Sequence, residues 1–190
     1  LFYSNLDSVV TCHCRDKPMP TIMELLQKYY DEAHGGLVND KTPSQLCCGE
    51  GTQADYYILK VDLCSSTAFI QGKYAQTYLK LAHVFLSTVD DITRRYGADE
   101  DQVEYAGDSV VAYFRGSNDA INVLKAAYYS RVAVSTIPSL DSTFKSFPFH
   151  TRIVLHYGTL ILANIGPRGD RRLVAIGPAL HKVGHLEKKV

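Results

Sequence analysis

The chain has no excess of charge of either sign: lysine plus arginine and aspartate plus glutamate each number 20 in 190 residues. That balance argues against a general polyanion binder, so no nucleic-acid partner is expected, although a local basic pocket stays open. No apolar run reaches the length of a membrane span, and nothing at the start reads as a signal peptide. The five cysteines, an odd number, suit a reducing compartment better than a disulfide framework. A soluble, cytoplasmic protein is expected. Internal repeats and low-complexity tracts are missing. Cys12-His13-Cys14 and Cys47-Cys48 match the spacing of no standard structural zinc site. What is present is a hydrophobic fraction of 46%, enough for one globular domain with a sizeable core.

Residues 1–54 read as an accessory region. Within it, Ile22, Leu25, Leu26 and Tyr29 recur at helical spacing, and Thr21 with Glu24 makes a capping box. Gly35-Gly36 breaks that helix and a polar loop follows. Residues 55–190 are patterned more regularly. A strand is predicted over 56–62, and a helix over 75–95 with Tyr78, Leu81, Ala82, Phe85, Val89 and Ile92 as its apolar stripe. Runs 102–106 and 109–114 pair as a hairpin around Gly107-Asp108. A second helix spans 118–136 with Ile121, Leu124, Tyr128 and Val132 on one side. Another hairpin is predicted over 150–156 and 159–163, turning at Gly158, followed by a short strand over 173–176 and a helix over 179–187. Hairpins mixed with crossovers indicate an α+β domain with a mostly antiparallel sheet. Helices on one face of that sheet would leave Asp62 and Asp108 at neighbouring strand ends.

Those two aspartates carry most of the chemistry. Asp62 closes the apolar strand in YYILKVDLCSST, and Asp108 sits at the turn in VEYAGDSVVAYF. Each alone is more often a turn or cap residue. As a pair beside a small-residue loop, they suit two divalent cations on a triphosphate. Ser65, Ser66 and Thr67 can cap a helix, and a helix N-terminus there would favour phosphate. Glu104 precedes Asp108 by four residues, so alternation puts both on one face, with Tyr105 on the other. Glu104 reads equally as a solvated or ion-paired residue, and GPRGDRR as an exposed basic turn.

In order, the segments VDLCSST, VEYAGDSVVAYF, FHTRIVLHYGTLILANIG and RRLVAIGPALHKVGHLE resemble the class III adenylate and guanylate cyclase catalytic domain over residues 56–187. The whole chain looks most like the bacterial pyrimidine cyclases of anti-phage (Pycsar) signalling. The resemblance implies a ferredoxin-like, palm-type α+β fold and a head-to-tail homodimer with active sites at the interface. It implies metal ligation by Asp62, Asp108 and the Leu63 carbonyl, with two Mg²⁺ or Mn²⁺ per site. Backbone N–H groups of Cys64, Ser65, Ser66, Thr67, Ala68 and Phe69 would cradle the phosphates. Glu104 and Val174 fall at base-selecting positions. His181 and His185 stand where typical members carry Asn and Arg, and Arg168, Arg171 and Arg172 offer phosphate contacts, with Arg172 as a candidate catalytic cation. The implied activity is cyclisation of a nucleoside triphosphate, UTP favoured and CTP next. Guanylate cyclase, or a cyclase-like binding domain without turnover, is the alternative. A GGDEF-type turn is absent; YAGDS stands there instead.

Overall fold

A computed structural model describes residues 20–33, 35–64, 75–99, 102–116, 119–145, 149–167 and 169–189. The chain falls into two units, Leu1–Glu32 and Ala33–Val190. In the first, helix α1 (Ile22–Glu32) starts as its sequence indicates. The Thr21 N–H donates to Glu24 Oε2 at 2.7 Å, and the Glu24 N–H donates back to Thr21 Oγ1 at 3.2 Å, which satisfies two donors at the helix start.

The second unit is built on five antiparallel strands in the order β2-β3-β1-β4-β5. These are β1 (Gly51–Cys64), β2 (Val103–Ala106), β3 (Ser109–Phe114), β4 (His150–Ile165) and β5 (Arg172–Ile176). Among the described residues of this unit the α-helices are α2 (Ala75–Arg95), α3 (Asp119–Thr136), the single turn α4 (Ser142–Lys145) and α5 (Pro178–Glu187). The fold is α+β, as the alternation of hairpins and crossovers indicates.

Central strand β1 is buried on both sides because it faces two cores. Leu59, Val61 and Leu63 pack with Leu81, Phe85 and Val89 of α2 and Val123, Ala126 and Val134 of α3. Tyr56 and Ile58 point the other way, toward Ala179 and Val183 of α5. Helices therefore cover both sheet faces, not one. The alternation along β1 explains this: odd and even positions are both apolar until Lys60 and Asp62, which leaves two surfaces to cover.

Two further expectations are corrected. Gly158 makes no turn. It lies within the continuous strand β4, opposite Tyr56, and a Cβ there would stand 3.1 Å from the Ala179 Cβ. This glycine marks a close helix–sheet approach rather than a reversal. On α3, Ile121, Leu124 and Tyr128 are exposed, while Val123, Ala126, Ser130 and Val134 are buried. That helix is apolar around most of its circumference, so periodicity alone does not select the inward side, and the small Ala126 and Ser130 permit the closer approach.

Gly177 sets the position of α5. Its φ is +146°, and a Cβ there would stand 3.1 Å from the Leu160 Cα and 3.3 Å from the Thr159 carbonyl oxygen. Only glycine suits both constraints.

The packing yields a contrast. Phe85→Ala should lose about 3–5 kcal/mol by creating a cavity, whereas Leu124→Ala, at an exposed position, should stay within about 0.5 kcal/mol. Urea unfolding of both variants with an unchanged slope checks this.

Candidate active site

Strand pairing brings the two aspartates to one end of the sheet. Asp62 lies opposite Ser109, the first residue of β3, and Asp108 immediately precedes it. The Leu63 N–H donates to the Asp108 carbonyl at 3.3 Å. Gly107, at φ +66°, gives the turn its left-handed residue. The Asp108 side chain is met by the Tyr78 hydroxyl of α2 at 3.4 Å.

Asp62 is buried, with 7% exposure, and its charge is compensated within the chain. Arg152 lies directly across on β4, and its Nη2 donates to Asp62 Oδ2 at 2.7 Å. The paired carboxylate raises the Arg152 pKa above its ordinary value, chiefly through that hydrogen bond. Arg152 Nε is buried without a hydrogen-bond partner among the described residues. On the same face, Lys60 Nζ pairs with Glu187 Oε2 of α5 at 2.7 Å, and Arg152 Nη2 lies 4.0 Å from Glu187 Oε1. A line of alternating charge thus runs from Asp62 to the end of α5. The sequence alone did not single out Arg152 as the partner of Asp62. It lay in a quoted motif, but only the β1–β4 register shows that it faces Asp62.

Glu104 is half-buried on β2 opposite Val111 and accepts a hydrogen bond from the buried Tyr113 hydroxyl. Burial pushes the Glu104 carboxyl above its ordinary range, and the Tyr113 donor partly offsets this. Burial, and then the Glu104 charge, drive the Tyr113 hydroxyl well upward. Tyr105 turns to the other face and donates to Asp90 of α2 at 2.5 Å. The turn ends the alternation expected to put Glu104 and Asp108 on one face: Tyr113, in the cluster under α5, holds Glu104, while Tyr78 approaches Asp108 from α2.

Val174 is half-buried and pairs with Ala163. Its strand, β5, is at the opposite sheet edge from β2 and Glu104. Arg172 is exposed and lies 3.5 Å from Asp170, and Arg171 is exposed. Cys64 ends β1, half-buried, opposite His150. The proposed phosphate cradle over Ser65, Ser66, Thr67, Ala68 and Phe69 lies outside the described residues, as do Arg168 and Cys12-His13-Cys14. No cluster of three or more His, Cys, Asp or Glu capable of holding a metal occurs among the described residues.

No known family profile matches the chain, and no curated protein does. Solved structures do. The guanylyl cyclase Cya2 aligns at TM-score 0.65 and 17% identity, over 73% of this chain and 72% of that one. The adenylyl cyclase CyaB from P. aeruginosa aligns at TM-score 0.64 and 17% identity, over 74% of each chain. A class III adenylyl cyclase-like ATP-binding protein from Pseudomonas aeruginosa reaches TM-score 0.67 at 14% identity, over 88% of this chain and 39% of that one.

The chain has the class III cyclase fold.

Within the cyclase fold, His181 and His185 lie one turn apart on α5, exposed, with their Nε2 atoms 3.0 Å from each other. Their helix is held to the sheet by Ala179 and Val183, so the imidazoles occupy its outer side. Among the described residues no helix is long and apolar enough to cross a membrane.

The Glu104–Tyr113 contact gives a pH prediction. A carboxyl whose folded pKa exceeds the ordinary 4.5 contributes stability that is complete below that value and is lost as pH rises through the folded pKa. Tyr113→Phe removes the donor that lowers this pKa. The loss should then extend to higher pH than in the parent chain, as read by urea unfolding across the acid-to-neutral range. An unchanged pH profile would contradict the contact.

Proposed function

We propose that the chain is a nucleotide cyclase that converts a nucleoside triphosphate, UTP before CTP, to its 3′,5′-cyclic monophosphate and pyrophosphate. The ribose 3′ oxygen attacks the α-phosphorus, the bond to the β-phosphate oxygen breaks, and the 3′ proton leaves to solvent. The observation carrying this reading is the placement of Asp62 and Asp108 on adjacent strand ends of a class III cyclase fold.

The carboxylates of Asp62 and Asp108 and the Leu63 carbonyl would make an all-oxygen set, the type that Mg²⁺ or Mn²⁺ takes, once Asp62 turns from Arg152 and Asp108 from Tyr78. Two protein carboxylates with few other ligands also suit Mg²⁺, which usually completes its shell with water and substrate phosphates. When bound, such cations lower the pKa of the sugar hydroxyl and neutralise the departing phosphates. Binding a cation there would require Asp62 to exchange its partner. The Arg152 guanidinium, freed from Asp62, would be available to donate to a phosphate oxygen. Backbone N–H groups of Cys64 to Phe69 and the side chain of Arg172 are further phosphate contacts on this reading.

Glu104 as a carboxylate only accepts hydrogen bonds. It suits N3–H of uracil, the amino group of cytosine, or N1–H and the amino group of guanine, and suits adenine N1 poorly. Val174 adds an apolar wall. Because β2 and β5 form opposite sheet edges, a head-to-tail homodimer that completes each site between two copies belongs to this proposal. The product would act as a second messenger in anti-phage defence.

Glu104 favours a second reading, guanylate cyclase, and competition between GTP and UTP separates the two. A third, nucleotide binding without turnover, draws support from the Asp62–Arg152 pair and from the two histidines at positions 181 and 185.

Incubation with each of the four triphosphates and Mn²⁺, with products identified by mass spectrometry, tests the proposal. A cyclic pyrimidine nucleotide is expected, and Asp62→Ala or Asp108→Ala should abolish it. Glu104→Ala should change base preference more than the Mn²⁺ dependence. No cyclic product from any triphosphate would defeat the enzyme reading.

A further inference from the structure

Helix α5 carries a pair of imidazoles on one face. His181 and His185 are separated by four residues on a ten-residue helix, which stacks them on one face. Their Nε2 atoms are hydrogen-bonded at 3.0 Å, one ring donating its N–H to the other, and the ring centroids are 4.5 Å apart with the planes at 85°; a cation bound by both nitrogens would displace that proton. Two nitrogens bound to one tetrahedral Zn²⁺ at about 2.0–2.1 Å each would stand about 3.3 Å apart. The observed spacing is within a few tenths of an ångström of that, a difference small rotations about the side-chain bonds absorb. Both rings are exposed, so a cation reaches them without opening the fold.

We propose that His181 and His185 form a two-imidazole site for a borderline transition-metal cation of the Zn²⁺ class, distinct from the oxygen site at Asp62 and Asp108. Nitrogen ligands select such cations over Mg²⁺, which prefers oxygen. Glu187, the nearest carboxylate along α5, is engaged by Lys60. The remaining coordination positions are therefore open to water or to an anionic oxygen of a ligand. On the cyclase reading, the bound ion brings positive charge to the positions that the resemblance assigns to Asn and Arg. The site itself does not depend on that reading.

The test uses the full chain and Zn²⁺ itself, followed by calorimetry, with Co²⁺ as an optical probe. One Zn²⁺ per chain is expected. His181→Gln and His185→Gln should each weaken it by more than about tenfold, the low end of what outer-shell changes cause, with unchanged urea unfolding because both positions are exposed. The Co²⁺ complex should lack thiolate charge-transfer absorption. Three outcomes overturn the proposal: no stoichiometric Zn²⁺ binding by the parent chain, equal binding by the variants, or a thiolate band that assigns the ion to cysteines. Metal binding and turnover are read separately. Absent cyclic product therefore defeats only the cyclase reading, and absent Zn²⁺ binding defeats only this site.

Discussion

The ion pair between Asp62 and Arg152 is the interaction on which the site depends. A carboxylate at the end of a central strand, with cores on both faces, stays charged at low exposure only with a partner. The β1–β4 ladder supplies that partner from directly across. Removing the arginine would leave a buried charge uncompensated; replacing it with a cation keeps the balance. The same ladder aligns Lys60 with α5 through Glu187, so the helix that carries His181 and His185 is tied electrostatically to the strand that carries Asp62.

The other constraint is the β1–β3 register. Asp108 takes its place beside β1 because Gly107 closes the turn in a left-handed conformation and Ser109 then pairs with Asp62. Shifting the register by one residue would turn the Asp62 side chain to the other face. The buried residues of β3, all six of them, resist such a slip because Val110, Ala112 and Phe114 fill one core while Val111 and Tyr113 fill the other.

What the sequence made legible follows the range of the signals. The capping box at Thr21, the stripe on α2 and the turn at Gly107-Asp108 are local, and the structure agrees with each. The inward face of α3 was not legible, since Ile121 and Leu124 are as apolar as the residues that are buried. Gly158 read as a turn because the partner it makes room for, Ala179, is 21 positions away in sequence. Arg152 and Tyr113 went unassigned for a related reason: their roles exist only through partners 90 and 9 residues distant. The aspartates themselves stood out because each interrupts a β-prone run, a break visible without knowing what it pairs with.

The central claim is that Asp62 and Asp108 jointly hold the cations of a bound triphosphate. A crystal structure with Mn²⁺ and a non-hydrolysable UTP analogue tests it most directly, through the anomalous signal of manganese. The account predicts manganese coordinated by oxygens of both aspartates, with Arg152 moved from Asp62 to a phosphate. Nucleotide bound with Asp62 still on Arg152, and manganese touching neither carboxylate, would contradict it.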